Sequence, residues 1–194
     1  MSSPNDKFEP SPAPAASERP RLDKGYVQVY SGEGKGKTTA ALGLALRALG
    51  AGLRVYLGQF IKAGPYSEIT ALERIGGDAF CCRQYGSGCW LRGKPGEEEV
   101  RLARDGLNEV VAVLEAGEFD LLILDEADMA IWFKLLPVEA FLDLIDRKPG
   151  HVELVFTGRR ADAKLLERAD LVTEMREVKH YYQQGVLARK GIES

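Results

Sequence analysis

The stretch Ser31-Gly-Glu-Gly-Lys-Gly-Lys-Thr-Thr39 decides how the rest of the chain is read. Its closely spaced glycines let the backbone turn successive N–H groups inward, forming a concavity that suits phosphate oxygens. The residues before it, Tyr26-Val-Gln-Val-Tyr30, alternate like a strand. Those after it, 38–49, are rich in Ala and Leu like a helix and run into Gly50 and Gly52. Strand, glycine loop and helix in that order place the positive end of a helix where an anion belongs. Lys37 then supplies a mobile positive charge to phosphates, and the Thr38 hydroxyl reaches a bound Mg²⁺. One position departs from the usual GxxxxGK followed by Ser or Thr: Ser31 stands where the first glycine is expected.

Working outward, strands are expected at 54–60, 79–84, 119–125, 151–157 and 171–178, and helices at 67–74, 97–116, from Pro137 onward, and at 162–168. Val100, Ala103, Leu107, Val110, Val111 and Leu114 recur at helical spacing. Phe119-Asp-Leu-Leu-Ile-Leu-Asp125 is the most apolar run and reads as a central parallel strand buried on both faces. Pro137 suits a first helical turn, with Val138, Phe141, Leu142 and Ile145 on one face. Residues 86–96 read as irregular. The expected fold is α/β: a single-domain P-loop NTPase-like (RecA-like) arrangement, a mostly parallel sheet with helices on both faces and the ligand at the carboxyl ends of the strands.

Two further strand ends carry chemistry. Leu124-Asp-Glu-Ala-Asp128 puts acids just past the buried strand, and Asp125 and Glu126 are the candidates to hold the metal, directly or through water. This assumes that neighbouring strands bring the acidic loop and the phosphate loop together. Asp128 either joins that cluster or caps the segment that follows. In Phe156-Thr-Gly-Arg-Arg160, Arg159 can grip an anion bidentately, while Arg160 reads more as surface. Gln59-Phe-Ile-Lys62 and Lys179-His-Tyr-Tyr182 also follow strands, and both ligand contact and simple packing account for them.

Composition bounds the remaining possibilities. Five of the nine prolines fall in the first 20 residues of 194, so 1–24 reads as a flexible Pro-rich leader and 25–194 as the folded domain. A domain of that length buries roughly 70% of its unfolded surface and needs no staples. With 26 Lys+Arg against 29 Asp+Glu, the field is wrong for a general nucleic-acid or membrane-surface binder. No apolar stretch has the length of a membrane span or the layout of a signal peptide, so a cytoplasmic location is expected. Cys81, Cys82 and Cys89 lack paired zinc spacing and read as reduced thiols.

Several nucleotide-dependent functions fit this frame. Asp125-Glu-Ala-Asp128 suggests a motor or helicase, but those need a second such fold. A small-molecule kinase normally carries an arginine-rich lid, which is not evident, and no segment stands out as a γ-phosphate sensor for a switch. A P-loop ATPase or small-molecule kinase remains the alternative reading.

With the strand-end motifs in place, the chain resembles the P-loop type of ATP:corrinoid adenosyltransferase. The likeness lies in Tyr26-Val-Gln-Val-Tyr-Ser-Gly-Glu-Gly-Lys-Gly-Lys-Thr-Thr-Ala-Ala-Leu-Gly43, Gly58-Gln-Phe-Ile-Lys62, Leu124-Asp-Glu126, Thr157-Gly-Arg159 and Ala169-Asp-Leu-Val-Thr-Glu-Met175 followed by Lys179-His180. The resemblance implies attack of a Co(I) corrinoid on the 5′-carbon of ATP, with the whole triphosphate leaving, in adenosylcobalamin biosynthesis or salvage. By the same likeness Gly32, Glu33, Gly34, Lys35, Gly36, Lys37, Thr38, Thr39 and Arg159 line the ATP phosphates. Lys37, Thr38 and Glu126 then form the catalytic set, and Thr38, Glu126 and Asp125 hold Mg²⁺ or Mn²⁺. The cobalt is itself the nucleophile, so no general base is needed. A reduced flavoprotein as electron donor and a homodimer are implied as well.

On the corrinoid side the sequence departs from the family's Gly-x-Gly-Phe-x-Trp. Here Gly86-Ser-Gly-Cys-Trp-Leu91 places Cys89 at the phenylalanine position and Trp90 one place early. The loop carries over as the corrinoid contact, with Cys89 and Trp90 as its candidate residues and Trp90 as the apolar wedge against the lower corrin face.

Overall fold

A computed structural model describes residues 19–88 and 95–193. Six strands form one sheet in the order β3-β2-β4-β5-β1-β6, and every pairing is parallel. They are β1 (Val27–Ser31), β2 (Val55–Phe60), β3 (Phe80–Tyr85), β4 (Leu121–Asp125), β5 (Glu153–Thr157) and β6 (Leu171–Glu174). The expected mostly parallel sheet is therefore wholly parallel among the described residues.

Helices cover both faces. On one side α1 (Lys37–Gly50) and α2 (Ser67–Gly76) bury Ala41, Ala45, Ala48, Ile69 and Leu72 against Val55, Leu57, Leu121 and Ile123. On the other, α3 (Glu97–Ala116), α4 (Ala127–Trp132), α5 (Val138–Arg147) and α6 (Ala163–Arg168) lie over Tyr56, Leu122, Leu124, Leu154 and Phe156. Consecutive residues of β4 thus enter opposite cores, as an unbroken apolar strand requires. Phe141 meets Phe60 and Phe156 edge-on, with ring centroids 5.7 and 5.9 Å apart.

Local chemistry explains the helix limits. Three glutamates occupy the first turn of α3, where the helix dipole favours them, and Gly117 at φ +60° ends it in the left-handed region. Gly106 lets α3 sit directly on the Tyr85 ring: a Cβ there would fall 2.3 Å from Tyr85 Cγ. Pro137 proves to be the extended residue before α5 rather than its first turn. Asp162 caps α6 through its side chain, which accepts from Lys164 N at 2.9 Å.

Three expectations need correction. β6 stops at Glu174 rather than 178, because the backbone beyond it turns along the phosphate loop, where Met175 O accepts from Gly34 N at 2.7 Å. The acidic strand and the phosphate-loop strand are not neighbours, since β5 lies between β4 and β1. And α4 forms directly after the acidic turn, where no helix was expected.

Ahead of β1, Arg19 Nη1 lies 2.5 Å from Asp120 Oδ2, and Arg19 Nη2 donates to Glu118 O at 3.0 Å. The first 18 positions of the expected leader fall outside the described residues. Among the described residues no helix is long and apolar enough to cross a membrane.

Candidate active site

The phosphate loop hangs between β1 and α1. Gly32 and Gly36 take φ of +108° and +121°, values that favour glycine, and a Cβ on Gly32 would fall 2.4 Å from Met175 O. α1 begins at Lys37, so the N–H groups of its first turn have no intrahelical acceptor and face the loop. Lys37 is buried, and its ammonium rests on the loop's own carbonyls, donating to Gly32 O at 2.6 Å and Gly34 O at 2.7 Å. Burial, and then the Arg159 charge, lower its pKa from the usual lysine value. Lys35 points elsewhere: its Nζ donates to Ile192 O at 2.9 Å, which ties the C-terminal segment to the loop.

The acidic strand end reaches this loop across the interposed strand. Thr38 Oγ1 donates to Asp125 Oδ1 at 2.8 Å, and Thr157 Oγ1, at the end of β5, donates to the same oxygen at 2.6 Å. The other oxygen accepts from Gln59 Nε2 at 3.0 Å and from Lys62 Nζ at 2.6 Å. Burial alone would push the Asp125 carboxyl up; the Lys62 ammonium and these hydrogen bonds outweigh it and hold the group below the ordinary aspartate value. Glu126 has a left-handed backbone, φ +59°, and its N–H donates to Thr157 Oγ1 at 3.1 Å. Burial, then the Asp125 charge, raises its pKa.

Asp128 caps nothing. It lies inside α4, fully buried, and neither carboxylate oxygen has a hydrogen-bond partner among the described residues. Arg159 and Arg160 converge on Glu33 of the phosphate loop, at 3.1 and 3.4 Å, and Arg160 also lies over the Trp132 ring at 4.2 Å. His180 Nδ1 accepts from Tyr182 N at 3.1 Å in the segment after β6. Cys89 and Trp90 fall outside the described residues.

Thr38, Asp125, Glu126 and Lys37 are thus gathered at one end of the sheet, with Arg159 on its rim. The stretch from Gln59 to Lys62, open between ligand contact and packing in the sequence, joins this network through both of its end residues, and so does Thr157, to which no separate role was attached. A further signal was a polar residue near the end of an otherwise apolar strand, Gln59 in β2 and Thr157 in β5.

This donor set suits a hard divalent ion. The Thr38 hydroxyl and the Asp125 carboxylate are joined, Glu126 is near enough for its own titration to feel the Asp125 charge, and the Lys62 ammonium sits against both Thr38 and Asp125. Among the described residues no cluster of three or more His, Cys, Asp or Glu forms a self-sufficient cage. Mg²⁺ commonly takes one or two protein ligands and completes its shell with substrate phosphates.

A wholly parallel sheet with a glycine loop opening a helix, and with a hydroxyl joined to a strand-end acid, defines a P-loop nucleotide-binding protein. Comparison with known proteins narrows this. Residues 23–194 match the model of the family described as ATP:corrinoid adenosyltransferase BtuR/CobO/CobP, and the chain belongs to that family. It is 32% identical to the corrinoid adenosyltransferase of Pseudomonas aeruginosa over 173 residues, covering 89% of this chain and 85% of the relative. It is 33% identical to the corrinoid adenosyltransferase of Escherichia coli K12 over 172 residues, covering 88% and 86%. A relative from Salmonella typhimurium named corrinoid adenosyltransferase CobA is also 33% identical over 172 residues. The chain is accordingly an enzyme of the adenosyl-transferring class that uses ATP.

Proposed function

We propose that the chain moves the 5′-deoxyadenosyl group of ATP onto the Co(I) centre of a corrinoid and releases inorganic triphosphate, in the formation or salvage of adenosylcobalamin. The observation that carries this reading is the junction of Thr38 with Asp125 beside Lys37, on a chain of this family.

Each residue has a task suited to its surroundings. Lys37, now resting on two carbonyls, is the charge that meets the triphosphate. The loop glycines Gly32, Gly34 and Gly36, with Glu33, Lys35 and Thr39, shape the cradle around it. Thr38, Glu126 and Asp125 hold Mg²⁺ or Mn²⁺, directly or through water, and Asp125 also steadies the Thr38 hydroxyl from the buried side. When bound, the ion offsets the charge that grows on the departing triphosphate. Arg159 leaves Glu33 for the phosphates once nucleotide enters. The substrate's cobalt is the nucleophile, so the protein has to position and stabilise rather than move a proton.

The corrinoid is expected against the loop of Cys89 and Trp90, with the part of the leader that precedes Arg19 folding over it. A reduced flavoprotein supplies the electron, and the enzyme works in the cytoplasm as a homodimer. The edge strand β6 supports pairing between copies, since Leu171 and Val172 are exposed on it and Val178, Tyr182 and Leu187 are exposed in the segment that follows.

Incubation with ATP, Mg²⁺ and chemically reduced cobalamin tests the reading through its phosphate product. Inorganic triphosphate together with adenosylcobalamin supports it; ADP or orthophosphate overturns it in favour of a kinase or ATPase on the same fold.

A further inference from the structure

The loop after β2 holds an unusual lysine. Ile61, the residue that leads into it, has φ +65°, a left-handed conformation that a β-branched side chain rarely adopts. The strained turn is wedged against Gly86, where a Cβ would fall 2.3 Å from the Ile61 carbonyl carbon and 2.6 Å from Lys62 N. Held this way, Lys62 brings its ammonium to 2.6 Å from Asp125 Oδ2 and 3.3 Å from Thr38 Oγ1. The lysine side chain retains only 22% of its exposure, and Asp125 retains none. A surface lysine needs neither a strained turn nor a missing side chain opposite it, and this one has both.

The position matters because Thr38 and Asp125 are the groups that the proposed function assigns to the divalent ion and its support. One positive charge already stands there. A divalent ion arriving at close range would be repelled by it, and the repulsion is strong where water is scarce. The ammonium therefore has to leave when the ion enters. Once ATP is present, its triphosphate is the nearest new anion for it to follow.

We propose that Lys62 is a placeholder cation. In the nucleotide-free enzyme it fills the metal seat and closes it to free divalent ions, and on binding of ATP with its ion it swings from Asp125 to the triphosphate. Metal and nucleotide are thereby taken up together, and neither the strained turn nor the buried ammonium serves packing alone. The inference rests on the metal reading of Thr38 and Asp125.

Titration with Mn²⁺ followed by electron paramagnetic resonance, with protein-bound ion obtained against a matched protein-free Mn²⁺–ATP control, tests this. Wild type is expected to bind Mn²⁺ weakly alone and at least tenfold more tightly with ATP present and no corrinoid. Lys62→Met is expected to bind Mn²⁺ alone at least tenfold more tightly than wild type and to lose most of the gain on adding ATP. Lys62→Gln, which keeps a donor for Asp125, substitutes with the same expectation if Lys62→Met does not fold. Unchanged or weaker Mn²⁺ binding in folded Lys62 variants overturns the placeholder role. Thr38→Val marks the other failure: if it takes up Mn²⁺ with ATP as wild type does, the metal seat itself is misassigned.

Discussion

Thr38 Oγ1 donates to Asp125 Oδ1 across 2.8 Å, although the strands leading to these residues are not neighbours in the sheet. Thr157 on the interposed strand closes the gap by donating to the same oxygen. A single hydroxyl therefore joins the phosphate loop to the acidic turn. Removing it in Thr38→Val leaves Asp125 with three other donors, so the expected loss of stability is about 1 kcal/mol. Adenosyl transfer should fall by at least ~10²-fold, because the proposed function places the divalent ion on the same hydroxyl. Thr38→Ser, which keeps the oxygen, should stay within about tenfold of wild type. Urea denaturation and turnover across a Mg²⁺ titration check both halves.

Lys37 is buried on carbonyl oxygens rather than on a carboxylate. Its replacement strands no opposite charge, so Lys37→Ala is expected to fold and melt close to wild type. Loss of the positive charge at the triphosphate should reduce transfer by ~10³-fold or more. Near-normal turnover in folded Lys37→Ala would remove the phosphate loop from the mechanism.

Legibility in the sequence followed the range of the interactions. α3 forms over 97–116 as expected, since twenty residues with a repeated apolar face and a glycine at each end are a local signal. α4 was missed because six residues are too few to show a period, and its acids read equally well as a loop. β6 ends early because its continuation pairs with a loop more than 140 residues away in sequence, which no local pattern reveals. The site divides the same way. Lys37, Thr38, Asp125, Glu126 and Arg159 were legible as residue types at strand ends. The contacts of Thr157, Gln59 and Lys62 with Asp125 arise only when β2, β4 and β5 align side by side.

Arg159 and Glu33 face each other at 3.1 Å, and each side chain is more than half exposed. Such a pair contributes little to stability, so Arg159→Ala should change it by less than ~0.5 kcal/mol. A role on the triphosphate would instead raise the ATP Michaelis constant and lower turnover, together by ~10²-fold. Arg159→Lys should rescue poorly, because it cannot grip two oxygens at once. Glu33→Gln, which frees Arg159, should preserve or improve ATP affinity. A uniform effect of all three variants on melting alone would assign Arg159 to the fold.

Arg19 reaches Asp120 at 2.5 Å, and that carboxylate is fully buried with its second oxygen unpartnered among the described residues. Arg54 N donates to the bonded oxygen as well, at 2.8 Å, so the acid keeps one donor when the arginine is lost. Arg19→Ala should therefore destabilise by ~2–3 kcal/mol, less than a fully stranded buried charge would cost. Asp120→Asn should be milder. Chemical denaturation of both variants measures this, and an unchanged midpoint for Arg19→Ala would show that the residues before β1 add nothing to the fold.

Asp128 gives the fold a pH dependence of definite sign. Burial, and then the nearby Glu126 charge, push its carboxyl from 3.8 up to about 7. Between those values the native state keeps a proton that the unfolded chain has released. The stability linked to this group is therefore complete below about pH 4 and declines as pH rises toward 7 and beyond. At 1.36 kcal/mol for each pH unit of separation, the total loss is on the order of 4 kcal/mol. Asp128→Asn retains the shape and cannot ionise, so its stability relative to wild type should improve by about 2–3 kcal/mol between pH 5 and pH 8. Paired urea denaturation curves at those two pH values measure the change. A difference between the two proteins that stays constant with pH would mean that Asp128 is ionised in the folded enzyme, with a cation beside it in solution.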